Sequence, residues 1–200
     1  MLISSQIKPI YKILLNKSTA FNLGSASMVA GERDSKTSIS KLLNYYAKQG
    51  VLRNIRKGIY VKPEYDPREV ATMLYPPCYV SLQYVLLRSG VIFQYDEAIT
   101  CVSYLSREIE VDGNTFRYSR MKPQILMNWK GIERGDRVWT ATPERAFLDL
   151  YYLYPNFYFD YPDILDKEKV KALLPIYKNK NLETRVCELL NITDYEPRET

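Results

Sequence analysis

Glu144 and Asp149, in the string TPERAFLD, are the carboxylates whose types and spacing most resemble a catalytic pair, since two acids suffice for general acid–base chemistry. Their placement argues against that use. On a helix begun by Thr142 and Pro143 they stand five residues apart, about 140° around the axis, and do not share a face. An acid in a first helical turn is already explained by the helix dipole. Pro162-Asp163, followed by Asp166, Lys167, Glu168 and Lys169, has the residue types of a metal-dependent nuclease. That site wants its second acid and lysine on a later strand, whereas this run reads as a turn and a helix start. The chain has no histidine, which removes the commonest general base and metal ligand and excludes Ser–His and Cys–His chemistry. Cys78, Cys101 and Cys187 are odd in number, far apart and without C-x-x-C spacing, so neither a disulfide frame nor a zinc site is expected. The sequence points away from an enzyme, with no metal and no cofactor.

The distribution of charge points elsewhere. Residues 1–62 hold eleven Lys and Arg against two acids, a net +9; residues 63–200 hold seventeen basic against twenty-one acidic side chains, a net −4. A basic module joined to a mildly acidic one suggests a polyanion partner for the first. No stretch of about 20 apolar residues exists, so no membrane span is expected. The opening MLISSQIKPIYKILLNK is broken by Gln6, Lys8, Pro9 and Lys12, unlike a secretory signal, and a cytoplasmic protein is expected.

The elements that would position a basic site follow from periodicity. Ile7, Ile10, Tyr11 and Leu14 predict one helix face, and residues 18–33 a brief second helix around Met28 and Val29. A helix over 34–49 is capped by Asp34 or Ser35 and stopped by Gly50. Its apolar back is Ile39, Leu42, Leu43 and Tyr46. Its polar front holds Lys36, Thr37, Ser40, Lys41, Asn44 and Lys48. VLRNIRKGIYV (51–61) then reads as a hairpin presenting Arg53, Arg56 and Lys57 around Gly58. This order is that of a winged helix-turn-helix, and those nine polar residues are the candidate contacts to double-stranded DNA. Asn44 suits adenine, Thr37 or Ser40 a base edge or phosphate, a lysine guanine or phosphate, and the hairpin cations the flanking backbone or minor groove.

Pro63 to Pro67 reads as a linker, and Asp66, Pro67 and Glu69 as the start of a helix reaching Tyr75. Ser81 is a cap candidate for a helix closed by Gly90. Strands are predicted over AITCVSYL, REIEV and TFRYSRM, with Asp112-Gly113 turning the last two. Glu108 and Glu110 alternate with Ile109 and Val111, the solvent face of a half-buried strand. Helices near 167–174 and 181–190 follow. The run YYLYPNFYFDY (151–161) holds seven aromatics but no cation and one acid, so core or a partner-docking surface is expected rather than a base-stacking platform. The expected protein is α+β: a winged helix-turn-helix over 1–62, and over 63–200 a mixed domain with a small antiparallel sheet and helices.

SKLLNYYAKQGVLRNIRKGIYV (40–61), DPREVATMLYPPCYVSLQYVLLRSGVI (66–92) and TATPERAFLDLYYL (140–153) resemble the corresponding blocks of the AbiEi family of antitoxin transcriptional regulators. The resemblance spans about residues 35–155. It implies that the N-terminal winged helix binds repeats in the chain's own promoter through Thr37, Ser40, Lys41, Asn44, Arg53, Arg56 and Lys57. It further implies that the C-terminal domain is the antitoxin of a type IV system, countering a nucleotidyltransferase toxin with which it need not form a stable complex. The competing expectation is an interaction module that neutralises a partner by direct contact through residues 63–200.

Overall fold

The computed structural model describes residues 8–31, 35–135, 137–193 and 195. The chain is α+β and divides into two compact units, Met1–Met73 and Leu74–Thr200.

The first unit runs α1 (Pro9–Leu15), β1 (Ala20–Asn22), α2 (Leu23–Ala30), α3 (Lys36–Lys48), β2 (Arg53–Arg56), β3 (Ile59–Val61) and α4 (Pro67–Leu74). Proline at its first position starts α1, where a missing N–H costs nothing. Ile10 and Ile13 fix its buried face; Tyr11, expected on that face, is exposed, and Leu14 is half-buried. Ile7 lies outside the described residues. Asn22 and Ser25 bond each other's backbone N–H and start α2 as a reciprocal cap, at 2.9 and 3.0 Å. This helix buries Ala26 and Ala30, and leaves Met28, part of its anticipated apolar patch, facing solvent. The strand β1, three residues long and too short for an alternation signal, was not anticipated. It pairs antiparallel with β3, and the sheet order is β1-β3-β2.

The anticipated linker at 63–67 is tied to the first unit. Lys62 N–H donates to the Thr19 carbonyl at 2.9 Å and Asp66 N–H to Thr19 Oγ1 at 2.9 Å. The buried Glu69 carboxylate accepts from Thr19 N–H, the Thr19 hydroxyl and Ala20 N–H, at 3.0–3.1 Å. Glu69 is therefore more than a first-turn acid: it clasps α4 to β1. The first unit consequently extends to Met73, beyond the boundary drawn at residue 62. A hydrogen bond spanning fifty positions leaves no periodicity to read.

The second unit runs β4 (Cys78–Val80), α5 (Gln83–Arg88), β5 (Ile99–Ser103), β6 (Arg107–Val111), β7 (Asn114–Arg120), α6 (Pro123–Leu126), β8 (Ile132–Gly135), β9 (Val138–Ala141), α7 (Pro143–Leu153), α8 (Lys167–Leu173) and α9 (Lys180–Leu190). Its sheet is larger than expected and is not antiparallel throughout. Six strands lie in the order β6-β7-β5-β4-β9-β8, with β5–β7 and β4–β9 parallel. The parallel pairs join strands that are not consecutive in the chain, which local patterning does not reveal. The β6–β7 turn places Asp112 and Gly113 at φ 53° and 74°, the positive pair that its sequence demands. Thr142 caps α7, which packs against α5 and α8 and buries every residue from Glu144 to Leu150. The expected helix starts at 167 and 181 correspond to α8, capped by Asp166, and α9, capped by Asn179.

Candidate nucleic-acid interface

The helix α3 is held at both ends by its own sequence. Ser35 Oγ accepts from Ser38 N–H at 3.1 Å, while Asp34 lies outside the described residues. At the other end Gly50 takes φ 74°, Gly50 N–H donates to the Ala47 carbonyl at 3.2 Å, and Val51 N–H to the Tyr46 carbonyl at 3.0 Å. These are the two bonds of a Schellman stop. Ile39 and Leu43 are fully buried against Ile10, Phe21, Ala26 and Leu52, with Leu42 and Tyr46 half-buried beside them. The apolar back is thus the one the spacing predicts.

The candidate contacts do not all point the same way. At about 100° per residue, Thr37, Lys41, Asn44 and Lys48 fall within an arc of roughly 60° opposite Ile39 and Leu43. All four are exposed. Ser40 is half-buried at the edge of that arc. Lys36 sits nearer the buried side and is exposed because it belongs to the first turn. Arg53, Arg56 and Lys57 are exposed on the β2–β3 hairpin. An extra residue in β2 shifts the register between Asn54 and Arg56, and Gly58 closes the turn at φ 81°.

Asn44 has a second engagement that its position in the sequence does not show. Its Nδ2 donates to the Ser40 carbonyl at 2.9 Å, and its Oδ1 accepts from the Tyr60 hydroxyl at 2.9 Å. The amide is therefore oriented, with one lone pair and one hydrogen left for another partner. Tyr60, on β3, is a supporting residue absent from the sequence-based set. Two cations of the +9 segment are likewise engaged within the fold. Lys12 Nζ donates to the Ala30 carbonyl at 2.7 Å, at the end of α2, and Lys62 Nζ to the Asn16 carbonyl at 2.5 Å. Neither was among the nine candidates.

No protein-family model matches the chain, and no curated protein matches it.

The fold gives Arg145, Asp149 and the tyrosines around them in the second unit a structural place. Arg145 and Asp149 are fully buried and pair at 3.1 Å. Arg145 donates to Asp149, to the Tyr79 hydroxyl and to the carbonyls of Ile125, Asn128 and Lys130, using all five of its N–H groups. Asp149 also accepts from Tyr79, Ser81 and Tyr177, at 2.7–3.0 Å. Burial, together with the Asp149 charge, pushes the Tyr79 and Tyr177 hydroxyls well above their ordinary range. Burial opposes the Arg145 charge, yet Asp149 and the two tyrosines hold it more basic than usual. A fully bonded centre at zero exposure offers a substrate no approach. Ser81, anticipated as a helix cap, belongs to this network, and α5 begins after Leu82 with no side-chain cap.

Glu144 is buried, and its Oε2 has no hydrogen-bond partner. Asp163 is exposed, and Asp166 caps α8 through Glu168 N–H and Lys169 N–H, so the nuclease-like run is a helix start. Glu108 pairs with Arg117 at 2.7 Å on the solvent face of β6. Among the described residues no three His, Cys, Asp or Glu side chains cluster as a metal site, and no helix is long and apolar enough to cross a membrane. The aromatic run divides. Tyr151 and Phe159 pack against Phe147, and Phe157 against Phe159, while Tyr154, Tyr158 and Tyr161 face solvent.

Proposed function

We propose that the chain is a DNA-binding transcriptional autorepressor, with α2, α3 and the β2–β3 hairpin acting as a winged helix-turn-helix. One observation carries the reading. From residue 35 to residue 63 the chain holds no Asp or Glu, and the exposed cations Lys41, Lys48, Arg53, Arg56 and Lys57 stand on α3 and its hairpin. In this reading α3 enters the major groove with Thr37, Lys41 and Asn44 toward base edges. The hairpin cations lie on flanking phosphates, and Lys36, Ser40 and Lys48 contact the backbone. Together with the likeness of residues 35–155 to AbiEi regulators, this supports reading the chain as the cytoplasmic antitoxin of a type IV system. The second unit then counters a nucleotidyltransferase toxin, and neither unit is assigned a catalytic step.

The test is a mobility shift on the DNA upstream of the gene, at two salt concentrations. Wild type binds that DNA specifically. Lys41→Ala/Asn44→Ala loses the sequence preference. Arg56→Ala/Lys57→Ala weakens binding to all DNA and flattens the log–log salt slope by about two, one per lost phosphate contact. No specific shift even at low salt would sink the repressor reading.

A second reading is favoured by the exposed rings of Phe93, Tyr95, Tyr158 and Tyr161 on the second unit. Those rings suit an interaction module that neutralises a partner by contact. A stable complex with a co-expressed toxin on gel filtration would select it over the type IV arrangement.

A further inference from the structure

The two tryptophans of the chain, Trp129 and Trp139, stand ten positions apart in sequence and side by side in space. Their ring centroids are 4.9 Å apart and their planes tilted by 53°. Both are open to solvent, at 43% and 37% exposure, although an indole is ordinarily among the more buried side chains. Trp129 lies between α6 and β8, and Trp139 lies on β9, next to the outermost strand of the six-stranded sheet.

The register of that outer pair sorts the charges. Arg134 faces Trp139 across the strands, and Glu133 faces Thr140. Strand alternation therefore puts Arg134 on the face of Trp139 and turns Glu133 to the other side. The Arg134 guanidinium lies 5.5 Å from the Trp139 ring centroid, and Lys130, next to Trp129, is exposed. An aromatic pair by itself would suit a protein surface. The Arg134 cation beside it, an exposed Lys130 adjacent to Trp129 in the chain and the strand's acid turned away favour a polyanion that carries planar rings.

The geometry points to a single-stranded nucleic acid on this face, its bases stacking on Trp129 and Trp139 and its phosphates meeting Arg134 and Lys130. A duplex keeps its bases stacked on each other and offers the indoles no ring face. The site belongs to the second unit and stands independently of duplex binding by α3.

Because both tryptophans lie in the site, intrinsic fluorescence reports its occupancy directly. The full chain carrying Arg53→Ala, Arg56→Ala and Lys57→Ala, which silences the hairpin, is titrated with an oligothymidylate of about twelve nucleotides. Emission is expected to quench saturably and to recover with added salt. By anisotropy of a labelled oligothymidylate, Trp139→Ala and Arg134→Glu in that background each bind about tenfold more weakly, while Trp139→Phe keeps most of the affinity. Arg134 is exposed, so Arg134→Glu preserves the test should Trp139→Ala fail to fold. Unchanged emission overturns the proposal. So does equal quenching by a duplex of the same length, and so does a concentration-dependent emission shift without nucleic acid, which would mark the face as a contact between protein chains.

Discussion

Two single residues of the first unit, Tyr60 and Glu69, have roles that do not follow from composition. Tyr60, on β3, donates its hydroxyl hydrogen to Asn44 Oδ1 and so orients the amide. Tyr60→Phe is expected to leave the melting temperature nearly unchanged. If α3 reads bases as proposed, it should reduce the preference for specific over random DNA severalfold, about 1 kcal/mol, in competition mobility shifts. Glu69 carries a larger share of stability, because its carboxylate is buried under donors from Thr19 and Ala20. Glu69→Ala leaves those N–H groups unsatisfied and should cost about 3 kcal/mol in denaturant unfolding of the first unit. A cost below about 1 kcal/mol would mean that water replaces the clasp.

At the scale of elements, turns and caps were the most legible features, since their chemistry is local. The Gly50 stop, the Lys57-Gly58 turn, the Asp112-Gly113 turn and the Thr142 cap all stand where residue types alone put them. Two glycines show how context then sets the cost of a change. Gly58 has positive φ but open space around a would-be Cβ. Gly131 has φ 71°, and a Cβ there would meet Arg145 Cβ and Leu173 Cδ1 at 3.0 Å. Gly58→Ala should cost about 1 kcal/mol, and Gly131→Ala about 3 kcal/mol, as strain and overpacking add. Thermal melts of the two variants separate these values; equal shifts would remove the packing argument.

At the scale of the whole molecule, the division at Met73/Leu74 predicts which pieces fold. A fragment of residues 1–73 should give cooperative unfolding, and a fragment of residues 1–62, which lacks Glu69, should melt lower or not at all. The second unit should be sensitive to alkali. Its Tyr79 and Tyr177 hydroxyls and its Cys78 thiol, pushed up to about 12, hold their protons to higher pH in the fold than in the unfolded chain. Their contribution is therefore complete below the ordinary values, 9.0 for the thiol and 10.0 for the phenols, and declines as pH rises past them. Melting temperature measured from pH 8 to pH 11 should fall beyond about pH 9, and more steeply beyond 10. A flat profile would show that the network tolerates ionisation.

The α+β class, the amphipathic back of α3, the basic hairpin and the starts of α7 and α8 were determined by sequence alone, because each rests on residues within one or two turns of one another. The tertiary structure decided what long-range pairing controls. It set the β5–β7 and β4–β9 parallel pairs, the attachment of α4 through Glu69, and the burial of Asp149 among Tyr79, Ser81, Arg145 and Tyr177. The meeting of Trp129 with Trp139, and the turning away of Glu133 by the β8–β9 register, belong to the same group. Hydrogen bonds and ring contacts between residues distant in sequence impose no period on the chain, so only the assembled sheet and helices show which side chains share a face.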